Sequence, residues 1–273
     1  MLQIPMYRTV AQTSLASGTG LRERFEDAFE SDPSIVATGR TAAWIHGFDI
    51  LPPGSEESDW PLECASDLPA PDTTVVDGLP VTCRARTLVD CAAGLPRLEA
   101  VAAADQFLRA GVDTRSLTAV LERLRGDRLR RANATLLAAD PRAESPMESW
   151  TRCLIGDAGL PAPEPHLRVG TPGGRSAVLG LGWEEWKVGV EHEDTATRVD
   201  FAADTGDRRR HQALRGLGWE VLVLTGSDVM EHPRGWLVGL REALLERGWA
   251  PDLSVLHDIG ARIDAVVDAM GVE

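Results

Sequence analysis

Apolar residues recur at helical spacing through most of the first half of the chain. LRERFEDAFE, Leu21 to Glu30, places Leu21, Phe25, Ala28 and Phe29 on one face, and Thr19 or Gly20 stands at its cap position. TAAWIH continues as a short helix that Gly47 ends. Proline then crowds the stretch from Asp49 to Pro71, with PLECAS as an embedded short strand. TTVVDGLPVT alternates around Asp77-Gly78 and predicts a β-hairpin. Four helical segments follow: RTLVDCAAG, RLEAVAAADQFLRAG, SLTAVLERLRG and RLRRANATLLAA.

PRAESP interrupts the pattern and predicts a domain boundary between Asp140 and Glu144. Beyond it the order changes. Pro146 to Ala158 reads as a helix with Ser145 as N-cap and proline in its first turn. HLRVG, AVLGLGW and KVGVEHE read as strands, Thr205 to Leu217 as a helix closed by Gly218, and WEVLVLT as a buried strand. Helices over Trp236–Arg247 and Asp258–Met270 close the chain. The expectation is an α/β protein: a mostly helical α+β region over 1–140, an α-β-β-β-α-β domain with a mixed sheet over 144–250, and a C-terminal helix over 251–273.

Composition narrows the class. The chain has 273 residues, 43% hydrophobic and 26% charged, which suits one large or two modest globular domains. No apolar run reaches membrane-spanning length, and MLQIPMYRTVAQTS lacks the pattern of a signal peptide, so a cytoplasmic protein without membrane contact is expected. The four cysteines, Cys64, Cys83, Cys91 and Cys153, form no C-x-x-C pair and read as free thiols. The net charge of −14 repels nucleic acid except where arginines cluster. Lys187 is the only lysine, which fits the coding bias of a GC-rich, actinobacterial or phage genome.

Two arginine groups answer that requirement. Arg123, Arg125, Arg128, Arg130 and Arg131 are interleaved with Glu122 and Asp127, so internal ion pairing is the competing role. Arg208, Arg209 and Arg210 open a helix and have fewer acids beside them. Arginine suits phosphate through its planar fork. Acid gathers at the end of KVGVEHED, where strand alternation puts Lys187, Gly189, Glu191 and Glu193 on one face. Two neighbouring carboxylates repel unless a cation lies between them, so they read either as metal ligands or as a hydrated strand end. His192 falls on the opposite face, and His46 stands at a helix end where an imidazolium suits the dipole. Glu185-Trp186-Lys187 also spells E-x-K, but in a turn.

The order α-β-β-β-α-β is the core of the PD-(D/E)XK nuclease superfamily. ESPMESWTRCLIGDAGLPAPEP, the strand pair, and DRRRHQALRGLGWEVLVLT resemble the very-short-patch-repair-endonuclease-like domains of actinobacteria, from Glu144 to about Val229. TAAWIHGFD and GLPVTCRARTLVDCAAG are similar to the abortive-infection-antitoxin-like regions found upstream of such domains; the winged helix that often begins them does not fit into 35 residues with one helix. The resemblance implies Glu148, with Glu144 a turn earlier, as the helical acid, and Glu191 as the third-strand glutamate. Glu193 stands where an aspartate is usual, and Asp194 replaces a glycine. The principal metal ligand of the second strand falls on Gly180, and an expected histidine falls near Thr197. Asp207 to Arg210 keep the basic helix start. Glu148, Glu191 and Glu193 are thus the implied catalytic and metal-ligating residues, for Mg²⁺ or Mn²⁺, with Arg208 to Arg210 on DNA. The glycine at the ligand position implies degenerate or weak DNA cleavage in a protein of DNA binding, repair or phage defence. An antitoxin-like regulator with a protein partner and a fully active endonuclease are the alternatives.

Overall fold

The computed structural model describes residues 8–9, 20–52, 55–171, 175–193 and 210–272. The chain is a mixed α/β protein that divides into two compact units, Met1–Pro141 and Arg142–Glu273. Among the described residues no helix is long and apolar enough to cross a membrane.

The N-terminal unit is built on a small mixed sheet. Its strands β1 (Arg8–Thr9), β2 (Val36–Ala37), β3 (Glu63–Ala65), β4 (Thr73–Val76) and β5 (Leu79–Thr82) lie in the order β1-β3-β2-β5-β4. The β4–β5 hairpin turns at Asp77 (φ 48) and Gly78 (φ 85), the pair of left-handed residues a tight two-residue turn needs. Helix α1 (Leu21–Ser31) buries Leu21 and Phe25 against the sheet. Its cap is Gly20, which lends no side chain; the Leu21 N–H instead donates to Glu57 Oε2 at 2.8 Å. Helix α2 (Gly39–Ile45) leads to the hairpin, and α3 (Arg84–Gly94) runs through the middle of a helical layer with α4 (Arg97–Arg109), α5 (Thr114–Leu121) and α6 (Gly126–Ala138). Leu88, Cys91 and Phe107 anchor one side of α3, and Val89, Ala92 and Ala132 the other.

The C-terminal unit starts with α7 (Pro146–Asp157). Ser145 caps it, its Oγ accepting the Glu148 N–H at 3.2 Å. Strands β6 (Glu164–Thr171), β7 (Arg175–Trp183) and β8 (Val188–His192) form an antiparallel meander. A helix over 210–216, α8, then crosses to β9 (Glu220–Leu224), which lies parallel to β8 at the sheet edge. The expected burial of β9 is corrected here: Val223 is 44% exposed, because an edge strand is covered on fewer sides than its β-branched sequence suggests. Gly218 (φ 82) ends α8. Helices α9 (Gly226–Met230), α10 (Pro233–Glu246) and α11 (Leu253–Met270) complete the unit. The sheet is sandwiched, with α8 packing Leu214 among Leu167, Val169, Ala177 and Leu179, and α7 packing on β7 and against α9 and α11. Strand β8 is shorter than KVGVEHE. Lys187 (φ 53) belongs to the preceding turn, where its Nζ donates to Leu217 O at 3.0 Å, and Glu193 lies past the strand end.

Candidate functional site

Strand β7 is irregular at Gly180. Its ladder with β8 runs through Trp183↔Val188, Gly182↔Gly189 and Leu181↔Val190 and stops there. Its ladder with β6 pairs Pro165↔Leu181 and resumes at Leu167↔Leu179. The residue of β6 left between them is His166, held in the left-handed region at φ 56. Strand β8 continues past the last β7 pair to Glu191 and His192, which pair with Val223 and Leu224 of β9. The two strands therefore part beyond the Leu181↔Val190 pair, at Gly180 on β7 and Glu191 on β8.

On one side stands the first turn of α7. A Cβ added at Gly180 would lie 3.2 Å from Glu148 Oε1, so the missing side chain leaves room that this carboxylate faces. Glu148 Oε2 accepts the Glu144 N–H at 2.8 Å, and Glu144 Oε1 lies 3.1 Å from His166 Nδ1. Gly182 answers to a different demand: a Cβ there would come within 2.6 Å of the Leu167 side chain, so close strand packing requires the glycine.

On α8, Arg210 and His211 hold Glu191. The Glu191 residue is only 5% exposed. Arg210 Nη2 donates to its Oε2 at 3.0 Å, and Arg210 Nη1 reaches Val178 O at 3.3 Å. His211 Nε2 hydrogen-bonds the same Oε2. Glu191 Oε1 is buried with no hydrogen-bond partner among the described residues. His192 points away to α7, where Thr151 Oγ1 lies 2.8 Å from its Nε2; burial lowers its pKa from 6.5 to about 4, so it is a neutral packing residue.

Glu191, Glu193 and Glu148 do not share one environment. Glu191 is buried, Glu193 is exposed beyond β8 with its N–H on Leu224 O at 2.9 Å, and Glu148 is engaged at the start of α7. Of Lys187, Glu191 and Glu193, only Glu191 lies within β8; Lys187 is in the preceding turn and Glu193 follows the strand end. Arg210 is turned inward to a carboxylate and a carbonyl. Arg208, Arg209, Asp194, Thr197 and Asp207 lie outside the described residues. Glu185 sits exposed in the β7–β8 turn. His211 and His166 escaped the sequence reading. A signal for His211 existed: it precedes the fully buried Leu214 by three positions, so helical spacing turns it toward the sheet.

The first arginine group serves the N-terminal unit itself. Arg123 makes a two-point pair with Asp72 at 3.0 and 2.5 Å. Arg86 bridges Asp72 (2.7 Å) and Asp90 (2.8 Å), and Arg128 reaches Asp90 at 3.1 Å. Arg130 pairs with Asp127, and Arg125 and Arg131 donate to backbone carbonyls. His46 is corrected from an imidazolium to a neutral ring: burial lowers its pKa, outweighing the Thr82 O contact at 2.8 Å, and Arg84 lowers it further.

A divalent ion such as Mg²⁺ asks for several oxygen ligands in near-octahedral array. Here Gly180 contributes none, Glu191 Oε2 already carries a guanidinium and an imidazole, and among the described residues no three His, Cys, Asp or Glu side chains are grouped to hold a metal ion. The described donor set does not fit a magnesium-type centre.

Two curated proteins of Mycobacterium tuberculosis match the chain: the uncharacterized protein MT2308 of strain CDC 1551 / Oshkosh and the uncharacterized protein Rv2248 of strain ATCC 25618 / H37Rv. Each is 31% identical over 218 residues, which cover 76% of this chain and 80% of the relative. No protein-family model matches the chain. No solved structure matches it at a significant level.

Proposed function

We propose that this chain, which belongs to the family of the mycobacterial proteins MT2308 and Rv2248, is a nuclease-fold protein that binds DNA with degenerate metal-dependent cleavage. The C-terminal unit is read as a restriction-endonuclease-like core of the PD-(D/E)XK type. The order α7-β6-β7-β8-α8-β9, with β9 parallel to β8, supports that reading. One observation supports degenerate catalysis: on β7 the implied ligand position is Gly180, and on β8 Glu191 is engaged by Arg210 and His211. Fold alone does not assign activity, so the site decides. On this reading it acts in the cytoplasm, in DNA repair or phage defence.

DNA contact falls to Arg208 and Arg209, since Arg210 serves the interior. Each phosphate contact adds roughly 0.9 to the slope of log affinity against log salt on duplex DNA. Replacing Arg208 and Arg209 by alanine should flatten the slope by about two such steps and weaken binding on every sequence alike. The same preparations, supplied with Mg²⁺ or Mn²⁺, should leave plasmid DNA uncut. Robust cleavage abolished by Glu191→Ala would instead support an active endonuclease using Glu148, Glu191 and Glu193. The net charge of −14, with the first arginine group spent on internal pairs, favours a second reading as an antitoxin-like regulator with a protein partner. Absence of DNA binding even at low salt would select it.

A further inference from the structure

We infer that Arg210 and His211 take the place of a metal ion at the Glu191 carboxylate, so that the chain neutralises this site with cationic and N–H donors of its own. The inference rests on the nuclease-core reading only for the expectation that a metal belongs here; the contacts stand without it. A carboxylate as buried as Glu191 must be paired or coordinated, since an isolated buried charge is strongly disfavoured. A divalent ion is one solution and a hydrogen-bonded guanidinium is another.

The structure adopts the second. Arg210 reaches Glu191 Oε2 at 3.0 Å with one end of its fork and Val178 O at 3.3 Å with the other, so the guanidinium spans the parted strands β7 and β8. His211 adds a second contact to the same oxygen. Both sit on α8, which Leu214 and Trp219 fix to the sheet. Arginine keeps its charge at every accessible pH, so the clamp does not release a free carboxylate. A divalent ion brought to Glu191 would lie beside that positive charge and find one carboxylate oxygen, Oε1, not engaged by the clamp. The empty side-chain position at Gly180 leaves no second acid on β7 to tip the balance back to a metal.

Manganese titration by calorimetry, with thermal melts alongside, tests this. Wild type should give no saturable Mn²⁺ binding at micromolar to low-millimolar concentration. The Arg210→Ala/His211→Ala variant should bind Mn²⁺ at least roughly tenfold more tightly than wild type, melt at a lower temperature without the ion, and be stabilised by it. Adding Glu191→Gln to that variant should abolish the binding and recover part of the lost stability, because the buried charge is gone. Arg210→Gln, which keeps bulk and a donor while removing the charge, gives the same reading if the double variant does not fold. Wild-type Mn²⁺ binding that Glu191→Gln removes would overturn the inference. So would variants with no gain in Mn²⁺ affinity, or no recovery of stability when Glu191 is neutralised. None of these readouts involves DNA, so failure of the nucleic-acid reading would be seen separately.

Discussion

Gly180→Asp places a carboxylate where β7 and β8 part, and its cost follows from one contact. The added Cβ would sit 3.2 Å from Glu148 Oε1 and 3.5 Å from Glu148 Cδ. That is tight but does not require backbone movement. Glu148 is also tied down, because its Oε2 accepts the Glu144 N–H at 2.8 Å. Two carboxylates about 4–6 Å apart repel by roughly 3–4 kcal/mol at the effective dielectric of a protein surface. Rotation of the new side chain and partial solvation reduce this to about 2–3 kcal/mol. For a unit spanning Arg142–Glu273, one kcal/mol moves the midpoint by about 3–5 °C, so the variant should melt ~6–15 °C below wild type at pH 7. Gly180→Ala is the control: it makes the same Cβ contact without charge and should stay within about 1 kcal/mol of wild type. The two acids of the variant share a proton above the ordinary carboxylate range. Their folded-state affinity for that proton exceeds the unfolded one, so the penalty is present at neutral pH and disappears as pH falls below about 4. Millimolar Mn²⁺ at pH 7 should recover much of the loss, since binding at ~100 times Kd contributes about 2.7 kcal/mol. Scanning calorimetry of the three proteins at pH 7 and pH 4, with and without Mn²⁺, reads all of this. Equal midpoints for the Asp and Ala variants at pH 7 would refute the placement of Gly180 against Glu148.

Two further outcomes test the interior. His192 stays neutral in the fold down to about pH 4 but protonates near 6.5 when unfolded, so its contribution is fully present above 6.5 and is lost as pH falls toward 4, by about 3 kcal/mol in total. Urea melts between pH 7.5 and 5 should show that slope, and His192→Gln should flatten it; an unchanged slope would place the ring in water. In the N-terminal unit, Asp72 is 1% exposed and takes both Arg86 and Arg123, so Asp72→Ala should cost about 3 kcal/mol by removing the buried acceptor that the two arginines share. Arg123, whose side chain is 46% exposed, should cost no more than about 1 kcal/mol on truncation; equal losses in urea denaturation would contradict the asymmetry.

Periodicity made the long helices legible because each buries one continuous stripe, as Leu21 and Phe25 do in α1. The Asp77-Gly78 turn was legible because its backbone demands those residue types. Two-residue strands such as β2 carry no alternation to read, and α9, five residues long, carries less than two turns of pattern. The edge position of β9 and the neutrality of His46 depend on what the rest of the chain covers, which no local window contains. At the candidate site it was the resemblance that singled out Glu191 and Gly180. Their partners come from α7 and α8, and a helix face is matched to a strand only by packing.

Arg210, which the resemblance offers as a phosphate ligand, reaches the Glu191 carboxylate with a side chain that is 37% exposed. The burial of Glu191 accounts for that contact. Charge balance then ties the two unusual positions together. With glycine at 180, the Glu191 carboxylate stands against the Arg210 guanidinium and the His211 ring, and no acid of β7 joins them. With aspartate at 180, a second carboxylate enters beside Glu148. A metal then becomes the favoured cation, and Arg210 competes with it for Glu191. Gly180 and Arg210 are on this argument two halves of one neutral arrangement. Gly180→Asp combined with Arg210→Ala should therefore bind Mn²⁺ more tightly than the sum of the two single changes predicts, by the coupling that contacting sites show in a double-mutant cycle. Additive affinities would mean that the glycine and the arginine answer to separate causes.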